Sequence, residues 1–136
     1  MNVEFVDTNV LIYAHAEAAG TRHKRSSELI TDIWERGVGA LSVQVLAEFY
    51  ATATGKLKMT TERAEDVIRP LRVWTIHRPG HADLLSAIIL QRRHRLSWWD
   101  AMVVNSAIQT GASILWTEDL NHGQRFGRLV VQNPFA

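Results

Sequence analysis

The chain has 136 residues, 46% of them hydrophobic and 21% charged, with 15 basic and 14 acidic side chains for a net charge of +1. That length suits a single domain spanning 1–136 around one core, and the composition excludes a disordered charged tail. The absence of cysteine excludes disulfide scaffolds, thiol nucleophiles, iron–sulfur clusters and cysteine zinc sites; with no basic leader and no apolar run of ~18–20 residues, a cytoplasmic protein with no membrane role is expected.

Residues 3 to 6, VEFV, read as a strand, Asp7-Thr8-Asn9 as a turn, and Val10, Leu11 and Ala14 as the start of helical spacing. Ser26, Leu29, Ile30, Ile33 and Trp34 predict an amphipathic helix stopped by Gly37 and Gly39. Ala40 to Ser42 reads as a second strand, and Val45, Leu46, Phe49, Tyr50 and Ala53 share one helical face that ends at Gly55. Thr60 or Thr61 can cap a further helix with an acidic first turn, ending near Pro70. Val73 to Ile76 is the third strand. Pro79 suits the first turn of a helix that carries Leu84, Leu85, Ile88 and Ile89 and closes in the basic run Arg92 to Arg95. Ser97 opens the last helix, through Ile108 to Gly111; Ile114 to Trp116 and Leu129 to Val131 complete the strands. Alternating strands and helices without repeats or linkers predict one α/β domain around a mainly parallel sheet.

In such sheets ligands bind beyond the carboxyl ends of the strands, which directs attention to polar residues just after a strand. Asp7 follows the first and Asp119 the fourth; Asp100 lies in the first turn of a helix, and Glu48 at the rim of an apolar helical stripe. Each acid also has a purely structural role open to it. Asp7 can be a helix N-cap, Ser97-x-x-Asp100 matches a capping box, and Asp119 can be a solvated loop residue beside Glu118. Glu48 sits in VQVLAEFYATA, where a half-buried carboxylate needs a partner and no Lys or Arg is close along the stretch. Were all four to converge, repulsion and desolvation would raise their pKa values unless a cation sat between them. An all-oxygen pocket favours Mg²⁺ or Mn²⁺ over zinc, and a water held by such an ion is a natural nucleophile toward a phosphodiester. With those acids gathered, the remaining surface carries 15 basic against ten acidic residues, which suits a phosphate-rich substrate.

The segments Val6-Asp7-Thr8-Asn9-Val10-Leu11, Ser42 to Phe49, Ser97-Trp98-Trp99-Asp100-Ala101 and Leu115 to Leu120 together resemble the PIN-domain family, in order and spacing over nearly the whole chain. Within it, Glu118 to Gln124 and the small size look like the VapC ribonuclease toxins of toxin–antitoxin pairs. The resemblance implies a three-layer α/β/α sandwich and Mg²⁺- or Mn²⁺-dependent endoribonuclease activity. It also implies a homodimer and a small VapB-like antitoxin partner that covers the acidic pocket. Carried over, Asp7, Glu48, Asp100 and Asp119 are the catalytic, metal-coordinating acids. Thr117 would bond a carboxylate or a metal-bound water, Asn9 would orient Asp7 from behind, and Glu118 falls outside the metal's own ligands.

The cleaved RNA is not specified by shared carboxylates. Arg22 to Arg25, Lys56 with Lys58, and Arg92 to Arg95 are candidates for phosphate contacts, and the five tryptophans read as core, with Trp98 or Trp99 the exception, as one of two consecutive residues at a helix start can face outward. His15, His77 and His81 lack ligand spacing. A haloacid-dehalogenase-like phosphatase would require a second Asp where Asn9 stands. A PIN nuclease of RNA processing outside any toxin pair, or a non-catalytic RNA- or partner-binding module, are the other readings.

Overall fold

The structure, a computed structural model, describes residues 2–136. Six strands form one sheet: β1 (Val3–Val6), β2 (Gly39–Ser42), β3 (Thr75–His77), β4 (Ala112–Trp116), β5 (Arg125–Phe126) and β6 (Leu129–Gln132). Their order is β3-β2-β1-β4-β6-β5, parallel except for β5, which runs antiparallel to β6. The helices are α1 (Thr8–Ala14), α2 (Thr21–Arg36), α3 (Val43–Gly55), α4 (Thr61–Ile68), α5 (His81–His94) and α6 (Trp98–Gln109). Successive crossovers move outward from β1 to β3 and then return past it to β4. With right-handed connections that reversal puts helices on both faces of the sheet, the α/β/α sandwich implied by the resemblance.

β1 lies at the centre, hydrogen-bonded to β2 on one side and β4 on the other. Its Phe5 and Val6 are fully buried, as are Leu41 on β2 and Leu115 on β4, and these strands read as unbroken apolar runs because both faces are covered. Leu11, Ile33, Phe49 and Val104 close over them from the helices. The capping signals act as expected: Ser42 Oγ accepts from Val45 N (3.1 Å), Thr60 Oγ1 from Arg63 N (3.1 Å), and α2 ends at Gly37 with φ 67°.

Several boundaries differ from expectation. α1 begins at Thr8 instead of Val10, because Asp7 itself is its N-cap. α4 stops at Ile68 and runs into a 3-10 turn, Arg69–Val73, that absorbs Pro70 and delays β3 to Thr75. Pro79 stands outside α5, whose cap is Gly80; Asp83 accepts from Gly80 N at 2.7 Å. The β5–β6 hairpin was not foreseen. Trp34 is 42% exposed, tilted against Trp74, and thus outside the core that its helical spacing suggested.

Glu4 on β1 is buried, with Arg36 Nη1 and Nη2 donating to its two oxygens (2.5 and 3.1 Å) and Trp116 Nε1 donating at 2.8 Å. Burial pushes the Glu4 carboxyl upward, but the Arg36 and Trp116 donors outweigh it and hold the group below its ordinary value. No helix among the described residues is long and apolar enough to cross a membrane.

Candidate active site

β1 and β4 are neighbours at the point where the strand order reverses, and the crevice beyond their carboxyl ends is where an open α/β sheet accepts a ligand. The backbone leads there directly: Asp7 N donates to Trp116 O at 3.0 Å, and Thr117 N to Gln132 O at 3.1 Å. A cavity of about 450 Å³ opens at this place, and Asp7, Glu48, Asp100 and Asp119 all line it. Four acids separated widely in the chain are therefore brought to one rim.

Asp7 is the most enclosed, 6% exposed. Its Oδ1 accepts from Thr8 N and its Oδ2 from the Thr117 hydroxyl, both at 2.7 Å. The N-cap role and a place in the pocket therefore coexist in one side chain. Burial pushes its pKa up to about 7; the Thr117 and Thr8 hydrogen bonds oppose this, and the charges of Asp119 and Asp100 add to it. Asp119 is also raised, first by desolvation and then by the neighbouring Asp100 and Glu118 charges.

Glu48 finds the partner its surroundings require, though not a cation. Thr8 Oγ1 donates to Oε2 at 2.9 Å and Gln44 Nε2 to Oε1 at 3.0 Å. The Oε1 of Gln44 is buried without a donor. For Asp100, the structure shows half of a capping box: Ser97 Oγ accepts from Asp100 N at 3.2 Å, and no returning bond from Ser97 N to the Asp100 carboxylate is present among the described residues. That carboxylate is left facing the cavity.

Asn9 stands elsewhere than its expected role required. Its Nδ2 lies 3.4 and 3.3 Å from the two oxygens of Asp119, so it steadies Asp119 across the crevice and not Asp7. Adjacent Glu118 turns away from the cavity, accepting from Tyr13 Oη at 2.8 Å and from Arg22 Nε and Nη2 at 3.2 and 3.0 Å. The Arg22 guanidinium lies 4.9 Å above the Phe135 ring.

Of the basic side chains considered for phosphate contacts, Lys56 alone lines the acidic cavity. Arg22 is occupied by Glu118, Arg25 Nε donates to Pro134 O at 3.0 Å, and Arg93 and His94 line a separate cavity beside Phe126 and Arg128. Sequence reasoning missed Thr8 and Gln44, the two residues that hold Glu48. The i,i+4 spacing of Gln44 and Glu48 could have indicated one of them.

The donor set suits a hard divalent cation: every side-chain group facing the crevice from the four acids is an oxygen, and burial with mutual repulsion leaves Asp7 and Asp119 short of positive charge. Among the described residues no three acidic or imidazole side chains are already drawn together as a ligand cluster.

A family model described as PIN domain matches residues 5–126. No curated protein matches the chain. Among solved structures, the crystal structure of Mycobacterium tuberculosis VapC20, described as a sarcin–ricin loop cleaving toxin, aligns with a TM-score of 0.66 and 21% identity, over 82% of this chain and 86% of that one. A toxin–antitoxin complex from Klebsiella pneumoniae aligns with a TM-score of 0.68 and 17% identity, over 96% and 97%. At these identities the likeness is one of fold.

Proposed function

Because this chain belongs to the PIN-domain family, we propose that it is an endoribonuclease dependent on Mg²⁺ or Mn²⁺, and the toxin of a type II toxin–antitoxin pair. The observation that carries the reading is the meeting of Asp7, Glu48, Asp100 and Asp119 around one cavity at the reversal of strand order. An uncompensated acidic pocket repels RNA and weakens the fold, so its presence makes chemical sense with a cation in it. Of the solved structures named above, one is described as a toxin and the other as a toxin–antitoxin complex, which supports the toxin assignment.

Asp7, Asp100, Asp119 and Glu48 would hold the ion. Held there, a divalent ion would supply a water of lowered pKa and a positive charge to offset that of the phosphodiester. The chain's own groups prepare that site. Thr117 and Thr8 N fix the Asp7 carboxylate, Asn9 steadies Asp119, and Thr8 with Gln44 sets the rotamer of Glu48. The Asp100 carboxylate, held only through the bond from its own amide to Ser97 Oγ, accepts no hydrogen bond among the described residues.

Partners follow the same reading: RNA in the crevice, a VapB-like antitoxin over it, and a second copy of the chain in a homodimer. Incubating purified protein with a mixed RNA pool in Mg²⁺ or Mn²⁺ tests the activity. Cleavage at internal sites that stops with EDTA and is lost in D7N and D100N is expected, whereas undiminished cleavage by both variants overturns the assignment. A short open reading frame beside the gene, coding for a DNA-binding arm and an amphipathic tail, tests the toxin pairing.

A further inference from the structure

The two tryptophans that open α6 divide their roles. Trp98 is half-buried against Ala87, Ala101 and Met102, whereas Trp99 is 61% exposed and serves no core. Trp99 stands immediately before Asp100 and lines the acidic cavity. It also lines a second depression of about 510 Å³, bordered by Val43, Pro79 and Leu84, and Gln44 is shared by both. The two hollows thus share a wall made by Gln44 and Trp99.

At the other end of the acidic cavity stands Lys56. Gln44, Glu48, Thr52 and Lys56 follow each other at i,i+4 along α3 and its C-cap, and all four line the cavity. The stripe spans ~18 Å from Gln44 to Lys56, at ~1.5 Å per residue. Lys56 is exposed and makes no ion pair among the described residues. The acidic cavity is therefore a groove with Lys56 at one end of the α3 stripe and Trp99, beside Gln44, at the other.

A polyanion approaching four carboxylates needs attraction from elsewhere. One lysine supplies a charge for a phosphate. An aromatic face supplies affinity that does not depend on charge at all, since every base has a π-face to stack on it. Resting on the nuclease reading above, we propose that α3 and Trp99 form a track for a single RNA strand, with an unpaired base stacked on Trp99 and a phosphate of the same strand held by Lys56. The groove thereby selects unstacked RNA, because a base inside a duplex offers no free face.

The test compares full-length wild type with W99A, W99L, W99F and K56A. One readout is kcat/KM on a fluorogenic single-stranded RNA in Mg²⁺. The other is binding of a mixed-sequence RNA 15-mer, single-stranded or duplex, by the same variants carrying D7N. Loss of the stack predicts that W99A and W99L weaken single-strand binding by about 5- to 150-fold and lower kcat/KM in step. W99F should stay near wild type, and duplex binding should not change. W99L retains apolar bulk, so it separates stacking from any loss of fold. K56A should reduce the dependence of log affinity on log salt by about 0.7. Wild type that cleaves RNA while W99L cleaves and binds equally well overturns this proposal alone. The same holds if W99L changes only oligomeric state or capture of a protein partner. Wild type that neither cleaves nor binds RNA removes the nuclease reading and this proposal together.

Discussion

The Thr117 hydroxyl donates a 2.7 Å hydrogen bond to Oδ2 of Asp7 and accepts one from the backbone amide of Asp119 at 3.1 Å. One buried side chain thus ties an acid at the end of β1 to the turn that carries an acid beyond β4. T117V removes both bonds without changing the volume much, leaving a buried carboxylate oxygen unmet. A loss of about 1–3 kcal/mol in urea unfolding is expected, together with reduced nuclease activity, and T117S should recover most of both.

Metal-free stability should depend on Asp7 with a definite sign. Burial pushes its pKa up to about 7, above the ordinary aspartate value of 3.8, so the folded state holds the proton more tightly than the unfolded chain. Stability from this group therefore falls as pH rises from about 4 to 7 and levels off above. In EDTA, D7N should melt several degrees above wild type at pH 8, and the gap should close toward pH 4. Adding Mg²⁺ should raise the wild-type Tm and leave D7N nearly unmoved. Thermal melts over that pH range check both statements.

Glu4 predicts the opposite trend at the other end of the sheet. Its carboxyl is held below the ordinary range, so its contribution is complete above the unfolded pKa and disappears as pH falls through the folded one. E4Q should cost roughly 1–3 kcal/mol at pH 7, with the difference from wild type shrinking below about pH 4.5. A Tm difference that is flat from pH 3 to 7 would count against the ionised Glu4–Arg36 contact.

Neighbouring Glu118 and Asp119 should separate cleanly in function. Glu118 is bound to Tyr13 and Arg22, while Asp119 lines the cavity. D119N should lose RNA cleavage by orders of magnitude; E118Q should keep metal-dependent cleavage within about tenfold while lowering Tm. Equal loss of cleavage in both, measured at matched folded fraction, would contradict the assignment.

Much of the fold was legible because β1, β2 and β4 are short apolar runs and the helices carry side-chain caps at Ser42, Thr60 and Ser97. The β5 strand was not, because two residues show no periodicity and its place depends on pairing with β6. Asp7, Asp100 and Asp119 were legible as residues that follow strands or open a helix, and Glu48 as a carboxylate set in an apolar helical stripe. Their supports were not: Thr8 meets Glu48 across 40 positions and Asn9 meets Asp119 across 110, and no local pattern encodes such pairs. That Thr117 is buried while Glu118 and Asp119 turn to different partners reflects the alternation of side chains as the chain leaves β4, whose phase becomes fixed only when the sheet's faces are known.

The central position of β1 also governs when the molecule becomes complete during synthesis. The strand that precedes Asp7 is made before β2, whereas its other flanking strand, β4, and the turn with Asp119 follow about a hundred residues later. A nascent chain can pair β1 with β2 early but has half a crevice and an open sheet edge until β4 arrives. Any activity that depends on all four carboxylates is therefore withheld from chains that stop short of β4, the strand that gives the crevice its second wall.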